Sequence, residues 1–351
     1  MGQRFAILER RAAVALDDYV RDIAWSPDGN SLAVAGGEGG IYLARRDGAA
    51  LPVRRIGEHA LGALAVAWPV RGETFATSGQ DGALALWRAD SGTAVKRWHP
   101  AQSWTENLAW TPDGRLLATA AGRSVSLWSA AGECLHEIAD HAATVVALCW
   151  DKPGRDLGVA HHGGLRIHRV ELQSGAASPR VTTREYPWRG ANLTVSFSPN
   201  GKVLATGTQD GAAHFWYLAT GRDAQMRGYG ARVGLTGWSS NSRYLATSAG
   251  PEVIVWDFGG KGPEGSRPAQ LVGHTDRIEC MAWQPGGQYL ASGGRDWRLS
   301  LWAPGKAALA VDAHMTSAAI SVVRWSPDSR VLAVGDAQGA LSLFELAEAP
   351  R

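Results

Sequence analysis

The sequence of 351 residues predicts an all-β fold in which similar four-stranded sheets repeat around a ring. One observation is an aromatic residue that closes an alternating apolar segment and returns every 40 to 47 residues: Trp25, Trp68, Trp110, Trp150, Phe197, Trp238, Trp283 and Trp325. A second is that Gly, Pro and Asp clusters separate the short apolar segments, as turns do. A fixed period in the forties, built only from short strands, is typical of a propeller of four-stranded blades.

The unit is clearest in Leu271–Trp302. Apolar residues alternate over Ile278–Trp283, a turn follows at Pro285–Gly287, and two further apolar runs flank a turn at Arg295-Asp296. Three short antiparallel strands cannot bury a core alone, so the unit needs neighbours of its own kind.

Eight segments end on the recurring aromatic residue and predict the first strands of eight blades: 20–25, 63–68, 104–110, 145–150, 192–197, 233–238, 278–283 and 320–325. Seven blades is the alternative, and it would require the first or fourth repeat to form no proper blade. All repeats are expected to belong to one domain over residues 1–351.

Two repeats carry the same four polar residues at the same spacings. They are His59, Thr77, Asp81 and Trp87 in the second repeat and His274, Ser292, Asp296 and Trp302 in the seventh. With this spacing the chain resembles the WD40 repeat family, in which His, Ser or Thr, Asp and Trp form a buried hydrogen-bonded tetrad. The resemblance covers nearly the whole chain and implies a structural role for these residues.

The other repeats depart from the tetrad. The fifth keeps Thr206, Asp210 and Trp216, but Trp188 stands at the His position. The third and sixth keep only Thr and Trp, and the first, fourth and eighth end on Ala44, His168 and Phe344. The resemblance also implies that the first segment, residues 5–16, supplies the outer strand of a last blade formed by Ile320–Phe344. Such closure removes two open sheet edges.

Composition limits the classes of partner. Lys and Arg number 35 against 33 Asp and Glu, a balance that gives no reason to expect nucleic acid or an anionic membrane. No window approaches 18 consecutive apolar residues. Three irregularly spaced cysteines predict no disulfide framework and a reducing compartment. We therefore expect a cytoplasmic protein.

Histidines cluster in the fourth repeat at a density that could bind a metal ion. His161, His162 and His168 lie near His136, Asp140 and His141, yet they lack the spacing of a structural zinc site. His168 and His141 fall at the Trp and His positions of the repeat, where packing is the better interpretation. The sequence predicts no metal and no cofactor. No nucleophile elbow or zinc-protease motif indicates catalysis.

The family resemblance places partner contacts on the face that carries the loops before strand one and the turns after strand two. The corresponding residues are Tyr19, Arg21, Gln80, Trp104, Glu106, His161, Gln209, Arg232, Arg277, Glu279 and Arg295. Aromatic and Arg side chains are enriched where binding energy concentrates. The resemblance thus implies a monomeric, non-enzymatic scaffold for protein or peptide partners. The alternative is a propeller, possibly an enzyme, that binds a small ligand or metal ion at its axis.

Overall fold

The computed structural model of the chain describes residues 5–100, 104–139, 141–173 and 175–348. Within those ranges the chain forms 31 β-strands and no helix. No helix long and apolar enough to cross a membrane occurs in that part of the chain.

The strands form eight sheets in chain order, preceded by β1 (Ala6–Ala15). Blade one contains β2 (Val20–Trp25), β3 (Ser31–Gly36), β4 (Gly40–Arg45) and β5 (Val53–Glu58); blade two contains β6 (Ala63–Ala67), β7 (Thr74–Gly79), β8 (Leu84–Arg88) and β9 (Ala94–Trp98). Blade three contains β10 (Thr105–Trp110), β11 (Leu116–Ala121), β12 (Ser124–Ser129) and β13 (Cys134–Ile138); blade four contains β14 (Val145–Trp150), β15 (Asp156–Glu171) and β16 (Arg180–Ala191).

Blade five contains β17 (Ser196–Phe197), β18 (Val203–Gly207), β19 (Ala213–Tyr217) and β20 (Asp223–Met226). Blade six contains β21 (Leu235–Trp238), β22 (Tyr244–Ala249), β23 (Glu252–Asp257) and β24 (Ala269–Leu271). Blade seven contains β25 (Ile278–Trp283), β26 (Leu290–Gly294), β27 (Arg298–Trp302) and β28 (Asp312–Met315); blade eight contains β29 (Ile320–Trp325), β30 (Val331–Asp336) and β31 (Ala340–Glu348).

Blade four has three strand segments, but its long β15 is folded back as a hairpin. The Val170 N–H donates to the Arg155 carbonyl, and the Arg169 guanidinium pairs with Asp156. Residues 13 positions apart could not meet in one straight strand, which rises about 3.3 Å per residue. The bend lies at His162-Gly163, where Gly163 has a φ of +96°. Blade four therefore has four strand segments like the others.

The first strand of each blade lies innermost. These eight strands contact one another in a closed circle, with β2 next to both β6 and β29. The prediction of an eight-bladed propeller is confirmed, and the seven-bladed alternative is wrong because blades one and four both form. Strand one of blade five is shorter than predicted, since the Thr194 hydroxyl accepts the Gly207 N–H in place of a ladder bond.

The recurring Trp joins neighbouring blades. In blade one the Trp25 indole N–H donates to the Arg324 carbonyl of blade eight, 2.9 Å away. Four other Trp residues at the end of a first strand make the same bond: Trp110, Trp150, Trp283 and Trp325. Each donates to the backbone carbonyl of the residue just before the equivalent Trp of the preceding blade. The period of the sequence thus reflects a contact repeated around the ring.

The N-terminal strand closes the ring as predicted. β1 pairs antiparallel with β31, from Ala6 opposite Glu348 to Ala15 opposite Ala340, and completes blade eight. Leu8 is buried by this pairing, and its N–H donates to Asp312 of blade seven. The strand is therefore tied to two blades.

Candidate functional site

A chain of hydrogen bonds crosses blade two from its third strand to the loop before its first. The Trp87 indole donates to the Thr77 hydroxyl at 2.8 Å, and His59 Nε2 lies 2.9 Å from the same hydroxyl. His59 Nδ1 lies 3.0 Å from Asp81, whose carboxylate also accepts the Ala60 and Ala83 N–H groups. Because a carboxylate only accepts, Nδ1 carries the proton and Nε2 accepts from Thr77.

Blade seven contains the same arrangement. The Trp302 indole donates to Ser292 Oγ at 2.8 Å, His274 Nε2 lies 2.7 Å from that oxygen, and His274 Nδ1 lies 3.0 Å from Asp296. Asp296 also accepts the N–H groups of Thr275 and Arg298. Both histidine side chains are fully buried, which lowers their pKa. A neutral imidazole with both nitrogens bonded stiffens the turn and has no free proton acceptor for catalysis.

The carboxylates are stabilised as anions. Burial alone would raise the pKa of Asp81, but hydrogen bonds from Ala60, Ala83 and His59 outweigh it and lower the pKa to about 2. The Arg97 guanidinium adds a further contact 2.6 Å from Oδ2. At neutral pH the turn between strands two and three is therefore held by a fixed charge.

The prediction for the fifth repeat needs correction. Thr206 donates to the Thr194 carbonyl, while Asp210 is exposed and has no hydrogen bond or ion pair within the described residues. Trp188 stacks on His214, 3.8 Å between ring centroids, and His214 in turn packs against the buried Trp216. An indole has one N–H and cannot bridge the Thr and the carboxylate as an imidazole does, so no tetrad forms.

Blade six recruits a residue that the sequence pattern did not identify. The Tyr229 hydroxyl accepts the Trp256 indole N–H at 2.7 Å and lies 2.9 Å from the Thr247 hydroxyl. Tyr229 lies nine residues before Trp238, which is the spacing of the tetrad His, and this position could have revealed it.

In blade four two histidines replace the tetrad. His141 Nδ1 lies 3.0 Å from the Arg123 carbonyl, so it must carry the proton, and His141 Nε2 then accepts from His168 Nε2 at 3.1 Å. His168 Nδ1 is left to accept from Thr183. Burial lowers the pKa of His141 to about 4 and that of His168 to about 3. Both rings are neutral and act in packing, as their positions predicted.

Within the described ranges no three His, Cys, Asp or Glu side chains converge in a way that could hold a metal ion. His161 Nδ1 bonds the backbone carbonyl of His162, and Asp140 lies outside the described residues. All four ring nitrogens of His141 and His168 already make hydrogen bonds, to each other, to the Arg123 carbonyl and to Thr183, so none is free to bind a metal ion.

Five of the predicted partner-face residues surround one depression at the mouth of the central channel. Arg21, Glu106, Arg232, Arg277 and Glu279 line a cavity of about 650 Å³ together with small and apolar residues. They come from blades one, three, six and seven. They meet because each belongs to the loop or first strand nearest the axis.

Blade seven contributes a linked set of charges to this mouth. Arg277 contacts Glu279 at 3.0 Å, and Arg295 contacts the other oxygen of Glu279 at 2.5 Å. Arg295 belongs to the strand-two to strand-three turn, so the ion pair joins that turn to the cavity wall. The remaining predicted residues Tyr19, Trp104 and Gln209 are exposed and Gln80 is half-buried, all in loops or turns of the same face.

His161 does not belong to this surface and corrects the prediction. It is only 5% exposed and pairs with Val145 inside blade four. His161 pairs with Val145 as Gly79 pairs with Ala63, and the equivalent of Gln80 is the next residue, His162, which is exposed.

Comparison with known proteins agrees with this geometry. The family described as WD domain, G-beta repeat matches residues 15–43, 93–129, 191–217 and 265–303. The last stretch contains the complete tetrad of blade seven. The chain therefore contains WD40 repeats.

Curated relatives include a WD repeat protein. The chain is 24% identical over 264 residues to the WD repeat-containing protein slp1 of Schizosaccharomyces pombe, covering 62% of this chain and 53% of that protein. It is 24% identical over 295 residues to the B-type cell cycle switch protein ccs52B of Medicago truncatula, covering 82% of this chain and 58% of that protein. The chain thus spans little more than half the length of these relatives.

A solved structure supports the fold alone. The computationally designed protein Ika8 superposes with a TM-score of 0.77 at 16% identity, covering 96% of this chain and 99% of that chain. The blades of this chain place their strand-two turns and inter-blade loops at one face.

Proposed function

We propose that this WD40 protein is a non-enzymatic scaffold that presents one rigid propeller face to protein or peptide partners. The observation that carries the proposal is the convergence of Arg21, Glu106, Arg232, Arg277 and Glu279 around one cavity at the axis. Guanidinium groups that point into a concave surface offer directional contacts to a partner. The histidines with lowered pKa lie inside blades rather than at this mouth, which favours binding over catalysis.

The partner is proposed to be a protein and the chain a cytoplasmic monomer. A net charge of +2 supports neither nucleic acid nor membrane as the main partner. The names of the two relatives, a WD repeat protein and a cell cycle switch protein, support a protein partner.

The test is quantitative capture of proteins from lysate of the native host. Arg277→Ala with Arg295→Ala should reduce recovery of specific partners and leave the melting temperature nearly unchanged, because exposed substitutions alter stability by about 0.5 kcal/mol or less. The matched control is the double variant Arg115→Ala with Arg243→Ala, which removes two exposed Arg–Asp ion pairs at the opposite face. Equal recovery by both double variants and the wild type would refute the assigned face.

A small anionic ligand at the axis is the second candidate. The cavity volume of about 650 Å³ falls in the range of small-molecule sites. Such a ligand would raise the melting temperature of the purified protein without any protein partner.

A further inference from the structure

On the proposed partner face, the strand-two to strand-three turn of blade seven differs from the equivalent turns of other blades. In blades one, two, five and eight the strand-two to strand-three turn has a Gly whose N–H donates to the carbonyl three residues earlier: Gly39, Gly82, Gly211 and Gly339. Each has a positive φ, between 72° and 120°. In blade seven the same hydrogen bond is made by Trp297, whose φ is +63°.

A Trp at this position is unfavourable for the fold. Side chains with a Cβ rarely adopt the left-handed region, and Gly occupies it freely. Trp297 does not compensate by full burial, because 50% of its surface is exposed. Strained residues of this kind concentrate at binding sites, where the strain is retained for function.

Trp297 has an exposed apolar neighbour. Met315 is the last residue of β28, pairs with Arg298 of β27, and is 64% exposed. The Thr316 N–H and hydroxyl both donate to the Trp297 carbonyl, which fixes the two segments side by side. Together Trp297 and Met315 form an apolar step on the rim of blade seven.

Arginine side chains lie next to the apolar step formed by Trp297 and Met315. Arg295, two residues from Trp297, contacts Glu279 on the cavity wall, so both Arg277 and Arg295 are engaged by one carboxylate. In the described structure Arg21 and Arg232, which line the same cavity, have no ion pair or hydrogen bond. Among the described residues that line the cavity, Glu106 is the one carboxylate without an ion pair or hydrogen bond. The mouth therefore holds more guanidinium groups than its own carboxylates satisfy.

We propose that the partner of this face is an acidic peptide segment with an aromatic or large aliphatic anchor. The anchor packs on the step formed by Trp297 and Met315, and acidic side chains reach Arg21 and Arg232 at the axial mouth. This inference rests on the proposed scaffold function and specifies its ligand chemistry.

The test uses two synthetic peptide pools with one fixed aromatic or Leu anchor at the centre of random sequence. One pool has Asp and Glu enriched on one side of the anchor, and the other has Lys and Arg there. Wild-type protein should retain the acidic pool, with binding that weakens as salt is raised. For the best acidic peptide, measured by fluorescence anisotropy, Trp297→Gly should weaken binding about tenfold or more.

The stability of the variant separates binding from structure. Trp297→Gly should melt at the wild-type temperature or above it, because four sister turns fold with Gly at this position. Arg21→Ala with Arg232→Ala should weaken the acidic peptide and reduce its salt dependence. Val95→Ala, an exposed apolar residue on the outer strand of blade two, is the matched control and should bind as wild type.

Three outcomes would overturn the inference: equal retention of the basic pool, unchanged binding by Trp297→Gly, or a lower melting temperature of that variant with binding intact. If neither pool binds while lysate capture still depends on Arg277 and Arg295, the peptide chemistry is wrong and the scaffold proposal stands. If that capture is also independent of the two Arg residues, the scaffold face is wrong as well.

Discussion

Removing the turn carboxylates should test the tetrads directly, because the chain offers three Asp residues at equivalent positions with different contacts. Asp296 has a side chain 6% exposed and accepts bonds from His274, Thr275 and Arg298. Asp81 is 9% exposed and has the equivalent partners His59, Ala60 and Ala83. Asp210 is exposed and accepts none.

The expected cost follows from the donors left behind. In Asp296→Ala the fully buried His274 Nδ1–H loses its acceptor, and a buried unsatisfied donor costs about 1–3 kcal/mol. The Thr275 N–H is exposed enough to find water, so we expect a total of about 1–3 kcal/mol. For a chain of this size that corresponds to a fall in melting temperature of roughly 1.5–4 °C. Asp81→Ala should behave alike.

The assay is thermal unfolding followed by circular dichroism at neutral pH. Asp210→Ala should melt within about 1 °C of wild type, since exposed substitutions are nearly neutral. Asp296→Asn, which keeps one acceptor oxygen, should fall between wild type and Asp296→Ala. Equal melting of Asp81→Ala, Asp296→Ala and Asp210→Ala would refute the structural role of the tetrads.

The remaining predictions concern acid and closure. Burial lowers the pKa of His141 to about 4 and of His168 to about 3, so the unfolded chain binds more protons below pH 6.5. Stability should be constant above pH 7 and fall as the pH drops, by about 2 kcal/mol per neutral histidine at pH 5. Denaturant titrations across pH measure this, and a flat profile would contradict it. Deleting residues 5–16 removes β1 and exposes the edge of β31, so the truncated chain should melt lower and self-associate on size-exclusion chromatography. A monomeric truncation of wild-type stability would show that β1 is dispensable for closure.

The periodic features were predictable from sequence because each blade solves the same packing problem. A Trp lies at or just after the end of the first strand in seven blades, and in five of them its indole bonds the preceding blade, as Trp25 bonds the last blade and Trp325 the seventh. The tetrads of blades two and seven were predictable for the same reason, since four side chains at fixed spacing leave one arrangement of donors and acceptors.

Features that depend on substitution were not predictable from spacing. The rim prediction for His161 was wrong for a different reason: His162, twelve residues after Trp150, has the spacing of Gln80 after Trp68, and His161 has the buried position of Gly79. Asp210 kept the family spacing but lost its partner when an indole replaced the imidazole. Trp297 escaped notice because sequence does not report backbone φ.

Blade seven joins the complete tetrad to the strained turn, and this argues for a shared role. Asp296 lies next to Trp297 and accepts the N–H of Arg298 on its other side, so the tetrad holds the backbone on both sides of the left-handed residue. Strain persists only where the surrounding structure over-determines it, and a rigid anchor loses less entropy on binding. Asp81 holds a turn that carries Gly82, with no side chain to present. Asp296→Ala should therefore weaken the acidic peptide in the anisotropy assay, while Asp81→Ala should lower stability by a similar amount and leave binding unchanged at temperatures well below melting. Equal weakening by both variants would indicate that binding follows overall stability rather than the turn of blade seven.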